Sequence, residues 1–360
     1  MGLPSINIEF KTTGITAIKR GDRGVVAIVL VDENSNGLHT ILGISDIPSD
    51  LTADNKKVIE RALIGGINPP KKIVLYVLNA TAMLEEVDYT EAFNVLETIK
   101  FDYITFQPDI DSGDCTKVTT WIKKCRDNMN KKIKAVLPNH KADYDGVINF
   151  TTETITVGEE TYTTGEYCSR IAGLLAGTPL TISATYQPLP EVTDVTRLSK
   201  EDMDSKIEAG ELILFNDGEK VKIARAVNSF TTTTQDKGED YQKIKFVDTI
   251  DLIGTDIRKT AEDSYIGKYA NSYDNKCLLI MAINGYFDQL VLDGLLDKNS
   301  VNACMIDLES QRAYLKSIGV DVEPLNDEQI KVANTKDKVF LGANIKVLDA
   351  IEEINLKVTV

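Results

Sequence analysis

Between Gly24 and Pro138 short, wholly apolar runs alternate with segments whose apolar residues recur every three or four positions. The runs GVVAIVLV, KKIVLYVLNA, YITFQP and KKIKAVLP read as strands, because a strand buried on both faces has no polar side to show. Between them TADNKKVIERAL, YTEAFNVLETI and CTKVTTWIKKCRDNM carry the helical period, with Thr52 or Asp54 placed near the start of the first. Strand and helix in alternation predict an α/β domain, a mostly parallel sheet with helices on both faces.

From about residue 145 the pattern becomes β-rich. GVINF is strand-like, and TITVGEETYTT places Gly158 between two strand-like runs, as a hairpin turn requires. The helix TGEYCSRIAGLLAG, the loop YQPLPEVTDVT and the helix SKEDMDSKIEAG follow, the last with Ser199 and Asp202 as an approximate capping box and Gly210 as its stop. Strands over ELILFNDG and KVKIARAVNSFTT close the unit, and the polar run TTTTQDKGED marks a boundary. Beyond it two long amphipathic helices, FVDTIDLIGTDIRKTAEDSYIG and CLLIMAINGYFDQLVLDGLL, precede strand VNACMID, helix SQRAYLKSIG and strand VFLGANIKVL, an α+β domain. The expected layout is an arm over 1–20, the α/β domain over 21–238, the α+β domain over 239–350 and a terminal strand over 351–360.

Both ends alternate with a period of two. Ile354, Leu356, Val358 and Val360 are separated by Asn355, Lys357 and Thr359, and near the start Ile6, Ile8 and Phe10 are separated by Asn7 and Glu9. Strand-like ends outside the two cores carry unpaired N–H and C=O groups along both edges. These seven apolar residues are therefore the expected strand-pairing positions of the two arms. Gly14, Gly21 and Gly24 at one end and the polar DAIEE at the other are the expected flexible points.

The formal charge of -15 leaves no basic patch for phosphate, which argues against a nucleic-acid binder. The five cysteines include no CxxC and stand away from His39 and His140, so neither a disulfide framework nor a zinc site is expected. No apolar run reaches the length that spans a bilayer, and the start MGLPSINIEF has no signal-peptide pattern; folding in a reducing cytosol without membrane insertion is expected. The turn VDENSNGLHT holds neither GxGxxG nor GxxxxGKS/T, so no nucleotide is implied. Asp109, Asp111 and Asp114 follow a strand as ligands could, but their spacing fails the calcium-loop pattern. Gly65 and Gly66 read as a helix stop, and Trp121 and its neighbouring aromatics as packing. An α/β enzyme using Asp109, Asp111 or His140 stands as the alternative to a structural role.

The stretch GEKVKIARAVNSFTTTT followed by YQKIKFVDTIDLIGTDIRKTAEDSYIGKYANSYDNKCLLIMAI resembles the tail sheath proteins of contractile phages and phage-tail-like bacteriocins. The likeness is strongest from about Ala209 to Leu296 and extends to the apolar beginning and strand-like ending. It implies a structural subunit without cofactor that forms hexameric rings stacked helically round a tail tube protein. Baseplate and tail terminator would be its other partners, and the bacterial host cytoplasm its place of assembly before it joins a phage tail or tailocin. Another tail part, tube or baseplate, is the second alternative. Terminal strands would join neighbours by β-augmentation. The helix SQRAYLKSIG, with Ser310 as cap, Ala313 and Leu315 facing inward and Arg312 and Lys316 four apart, is the expected tube contact.

Overall fold

The computed structural model describes residues 16–79 and 87–359. These fall into two compact units, 21–255 with 349–359, and 256–348 with 16–20.

In the larger unit the apolar runs become strands β1 (Val25–Asp32), β2 (Gly37–Ile41), β3 (Lys72–Asn79), β4 (Tyr103–Phe106), β5 (Lys134–Pro138) and β6 (Val147–Phe150). Helices α1 (Ala53–Ile64), α2 (Thr90–Leu96) and α3 (Ser112–Lys123) separate them, the last continuing into a wider π turn over Lys124–Asn128. A hairpin, β7 (Ile155–Val157) and β8 (Glu160–Tyr162), follows with Gly158 at φ 62°; then come α4 (Thr164–Ala176), β9 (Asp194–Val195), α5 (Lys200–Glu208) and the short strands β10 (Glu211–Leu212), β11 (Leu214–Asn216) and β12 (Val221–Ile223). The main sheet runs β10-β6-β5-β4-β1-β3-β2, with every pair parallel except β2 against β3.

Alternation within β1 divides the core. Val26, Ile28 and Leu30 face a layer with α1 and α4, whereas Val25, Ala27 and Val29 face α2 and α3. Helices therefore cover both faces, as the wholly apolar strands require. The α1–α4 contact is close: a Cβ on Gly173 would lie 2.0 Å from the Ala62 carbonyl oxygen. Trp121 stacks on Phe93 with centroids 4.4 Å apart and donates to Glu97, a packing role.

Two expectations change. VDENSNGLHT is more than a turn, since its second half forms edge strand β2, where Leu38 and Thr40 face out and Ile41 faces in. KVKIARAVNSFTT forms a strand only over β12. Its ARAVNS portion is irregular chain, buried except at Arg225, and its buried polar side chains find partners: Asn228 donates to the Tyr241 carbonyl at 2.7 Å and Ser229 to the Tyr144 carbonyl at 3.0 Å.

Helix α6 (Ile244–Ser264) contains the division between the units at Thr255 and Asp256. Its first turns are held by a buried charge network that no linear pattern announces. Lys134 Nζ lies 2.9 Å from Asp248 and 2.7 Å from Asp251, and Arg126 meets Asp251 at 2.8 and 3.1 Å and Asp145 at 3.4 Å. Arg23 pairs with Asp248, which also accepts from the Tyr103 hydroxyl at 2.7 Å. Burial pushes the Asp251 carboxyl up, but Lys134 and Arg126 outweigh it and hold the group below its ordinary value.

The C-terminal unit continues with α7 (Tyr273–Leu292), β13 (Ala303–Ile306), α8 (Leu308–Ser317), α9 (Asp327–Val332) and β14 (Leu341–Asn344). β13 and β14 form an antiparallel pair with Cys304 opposite Ala343. The Asp256 carboxylate accepts from the Tyr286 hydroxyl of α7 at 2.7 Å. α9 was not expected; Asn326 and Gln329 build its capping box.

Candidate functional site

The residues that could have carried chemistry are committed to structure. Asp111 caps α3 by accepting from the Asp114 N–H at 2.7 Å, Asp114 pairs with Lys117 at 2.9 Å, and Asp109 is exposed. His140 Nε2 lies 2.9 Å from the Thr119 hydroxyl, and burial, then Lys123, lowers its pKa. His39 Nε2 meets the Ser35 carbonyl at 2.6 Å. The cysteines are free thiols. Among the described residues no group of three or more His, Cys, Asp or Glu side chains is arranged to hold a metal, and no helix is long and apolar enough to cross a membrane.

What stands out is the C-terminal arm. Ile354, Leu356 and Val358 are 81%, 81% and 70% exposed, and every side chain from Glu353 to Thr359 is exposed. The strand expected here does not form in the single chain, for a strand needs a second edge to supply its hydrogen bonds, and none of the described ladders includes this segment. Val360, and Ile6, Ile8 and Phe10 of the other arm, lie outside the described residues.

The arm's base is clasped. Glu352 Oε1 accepts from Ser183 Oγ at 3.0 Å and Thr185 Oγ1 at 2.7 Å, while its Oε2 accepts from Arg225 Nε at 3.0 Å. Arg225 also reaches Glu353 at 3.4 Å, and Asp349 pairs with Lys243. DAIEE, expected to be a flexible point, is thus pinned by three acidic side chains. Residues more than a hundred positions away supply the partners, which is why spacing could not reveal them.

In α8 the cap is Asp307, accepting from the Ser310 N–H at 3.0 Å, instead of Ser310 itself. Leu315 is buried but Ala313 is exposed. Arg312 is spent inside the unit, donating to the carbonyls of Val322 at 3.2 Å and Leu325 at 3.3 Å and pairing with Asp327 at 3.1 Å. Lys316 is exposed.

Residues 83–229 match the phage tail sheath protein central domain, and residues 236–360 match the phage tail sheath C-terminal domain. A tail sheath protein of Clostridium phage phiCD119 is 40% identical over 362 residues, covering 99% of each chain. The chain belongs to the phage tail sheath family. Its fold is that of a sheath tail protein from Desulfitobacterium hafniense (TM-score 0.71, 20% identity, 84% of this chain and 94% of that one). It is likewise that of the PVC sheath complex of an extracellular contractile injection system in the contracted state (TM-score 0.69, 11% identity, 100% and 98%). This sheath protein is accordingly a structural subunit of a phage tail and not an enzyme. The resemblance in ARAVNS and the helices after it led to the same family. The buried polar side chains of that motif give those residue types a structural reason to be there.

Proposed function

We propose that this sheath protein polymerises in the bacterial host cytoplasm as six-membered rings, stacked helically round a tail tube between a baseplate and a tail terminator, and that the rings rotate and shorten to drive the tube through a cell envelope. The arms at 1–20 and 351–360 link neighbours by adding strands to sheets of other copies, through Ile6, Ile8, Phe10, Ile354, Leu356, Val358 and Val360. No nucleotide enters; the work comes from interfaces better matched in the contracted lattice.

The observation that carries this reading is the row Ile354, Leu356 and Val358, exposed on an arm whose base is clasped by Arg225, Ser183 and Thr185. Burying the three on a partner contributes about 5–8 kcal/mol gross, and ordering about seven backbone residues costs a similar amount. One arm is marginal, whereas several arms in a closed ring gain by effective concentration. A clasped base keeps the arm attached at a defined point while its tip is free to pair.

For the tube contact we propose the exposed face of α8 at Lys316. Arg312, bound to carbonyls of its own unit, acts there chiefly by shaping the loop beside that face.

The test compares Leu356→Pro with Leu356→Val in a sedimentation assay for polymer. Proline removes a ladder donor and should abolish tubes, whereas valine keeps β propensity and should assemble normally. Equal polymer yield from the two variants would mean that this segment does not pair as a strand.

A further inference from the structure

Where the C-terminal arm leaves the larger unit, the surface round its clasp is apolar. Ile351 and Ile354 flank the tethered Glu352 and Glu353 and are almost wholly exposed. Ile182 and Tyr186 flank Ser183 and Thr185, the two hydroxyls that hold Glu352, and Tyr186 is 60% exposed. The Tyr186 ring lies on Phe215 of β11 with centroids 5.6 Å apart, and the Lys222 ammonium of β12 stands 5.8 Å from its centre. The charges beside this patch are already matched within the chain, Lys222 by Asp217 and Arg225 by Glu352 and Glu353. An aromatic and aliphatic centre rimmed by internally paired charges has the make-up of a protein interface and not of a site for a charged ligand.

The backbone at Tyr186 points the same way. The Gln187 N–H donates to the Ala184 carbonyl at 3.1 Å and closes a tight turn, in which Tyr186, the third residue, has φ 59°. Glycine or asparagine ordinarily fills such a place, because a Cβ there crowds the following carbonyl. The Tyr186 N–H is satisfied by the Ile223 carbonyl at 2.9 Å, so the strain is confined to the residue and held by the packed turn. The turn thus carries an unfavourable backbone geometry and leaves most of a large ring in water, and contact with a partner offsets both.

The arm identifies the partner as a second copy of this chain. Leu356 lies four residues beyond Glu352, at most about 14 Å from it. A copy that takes up Leu356 has its surface within that reach of the clasp, and an interface of about 800 Å² per partner extends about 16 Å from its centre. Thr185, and Tyr186 next to it, fall inside that footprint. The formal charge of -15 makes two copies repel, and a patch whose charges are paired is where they can meet without adding to the repulsion. We propose that Tyr186, backed by Phe215 and flanked by Ile182 and Ile351, is an anchor that docks on the body of the copy receiving this chain's C-terminal arm. The arm supplies the link, and the ring fixes the angle at which the two bodies meet. The choice of partner rests on the linking role given to 351–360 under Proposed function.

Hydroxyl-radical oxidation of the purified full chain, read at Tyr186 by mass spectrometry, tests the proposal. Oxidation should fall about fivefold between dilute monomer and concentrated, sedimented protein, as the ring is desolvated. An unchanged rate would overturn the proposal, as would protection that appears only when tail tube protein is added. Substitution gives a second readout. Tyr186→Asn suits the positive φ, so it should leave the urea midpoint of the Trp121 signal in place while raising the critical concentration for polymer about tenfold; Tyr186→Phe keeps the ring and should stay within about twofold of the parent. An asparagine variant that polymerises like the parent, or a phenylalanine variant as impaired as asparagine, would overturn the anchor. If asparagine lowers the urea midpoint, oxidation of the unaltered chain decides. Normal assembly of Leu356→Pro would refute the pairing of the arm, whereas parent polymer with Tyr186 still reactive would refute the anchor alone.

Discussion

Replacing Asp251 by Asn should destabilise the larger unit by about 3–5 kcal/mol at neutral pH, the cost of removing one member of a buried ion network. Asp251 takes two hydrogen bonds from Arg126 and lies 2.7 Å from Lys134, and all three side chains are buried. The amide keeps one acceptor but no charge. Arg126 is then left with Asp145 at 3.4 Å, and Lys134 with Asp248 at 2.9 Å, an Asp248 that also serves Arg23. Trp121, the single tryptophan, lies buried in this unit, so urea unfolding followed by its fluorescence reads the change directly. The pH dependence gives a second check. Because the folded carboxyl titrates below its unfolded value of about 3.9, its contribution is complete above that value and is lost as pH falls through the folded one. The gap between parent and variant should therefore hold steady from neutrality to about pH 5 and close in stronger acid. A gap under about 0.5 kcal/mol, no larger than that of the exposed control Asp109→Asn, would refute the reasoning, as would one that widens in acid.

Gly173→Ala should destabilise the same unit by about 1–3 kcal/mol net, because the new methyl meets the Ala62 carbonyl and overpacking exceeds the gain of up to about 1 kcal/mol in helix propensity; the Trp121 signal measures it. Glu352→Ala should leave that unfolding midpoint nearly unchanged while making amides 350–353 exchange faster and lowering polymer yield. Lys316→Glu should still give empty sheath polymer but prevent assembly on tubes, with the parent contact weakening at high salt. Arg312→Glu should instead loosen its own unit by about 1–3 kcal/mol through the lost carbonyl bonds, seen as faster exchange over 308–332 even without tubes.

The alternation of apolar runs and helical stripes determined the architecture before any contact was known. β1, β3, β4 and β5 are buried on both faces, so each had to read as a continuous apolar run, and α1 to α4 had to supply the covering layers. Local chemistry was equally legible where both partners lie within a few residues, as with Ser199 accepting from the Asp202 N–H and the glycine turn of the β7–β8 hairpin. The period of two in the C-terminal tail named Ile354, Leu356 and Val358, since alternation is a property of neighbours in sequence. Tertiary structure alone decided the rest. Edge strand β2 has one exposed face, formed by Leu38 and Thr40, and is too short for its period to stand out from a loop. The clasp on Glu352 and the network round Asp251 join carboxylates to bases more than a hundred positions away, and a charge in a linear string reads as solvated surface until folding removes the water from around it. Arg312 shows the same limit, for its spacing from Lys316 on one helix was plain in the sequence, whereas the carbonyls that occupy it belong to a loop whose path only the packed chain defines.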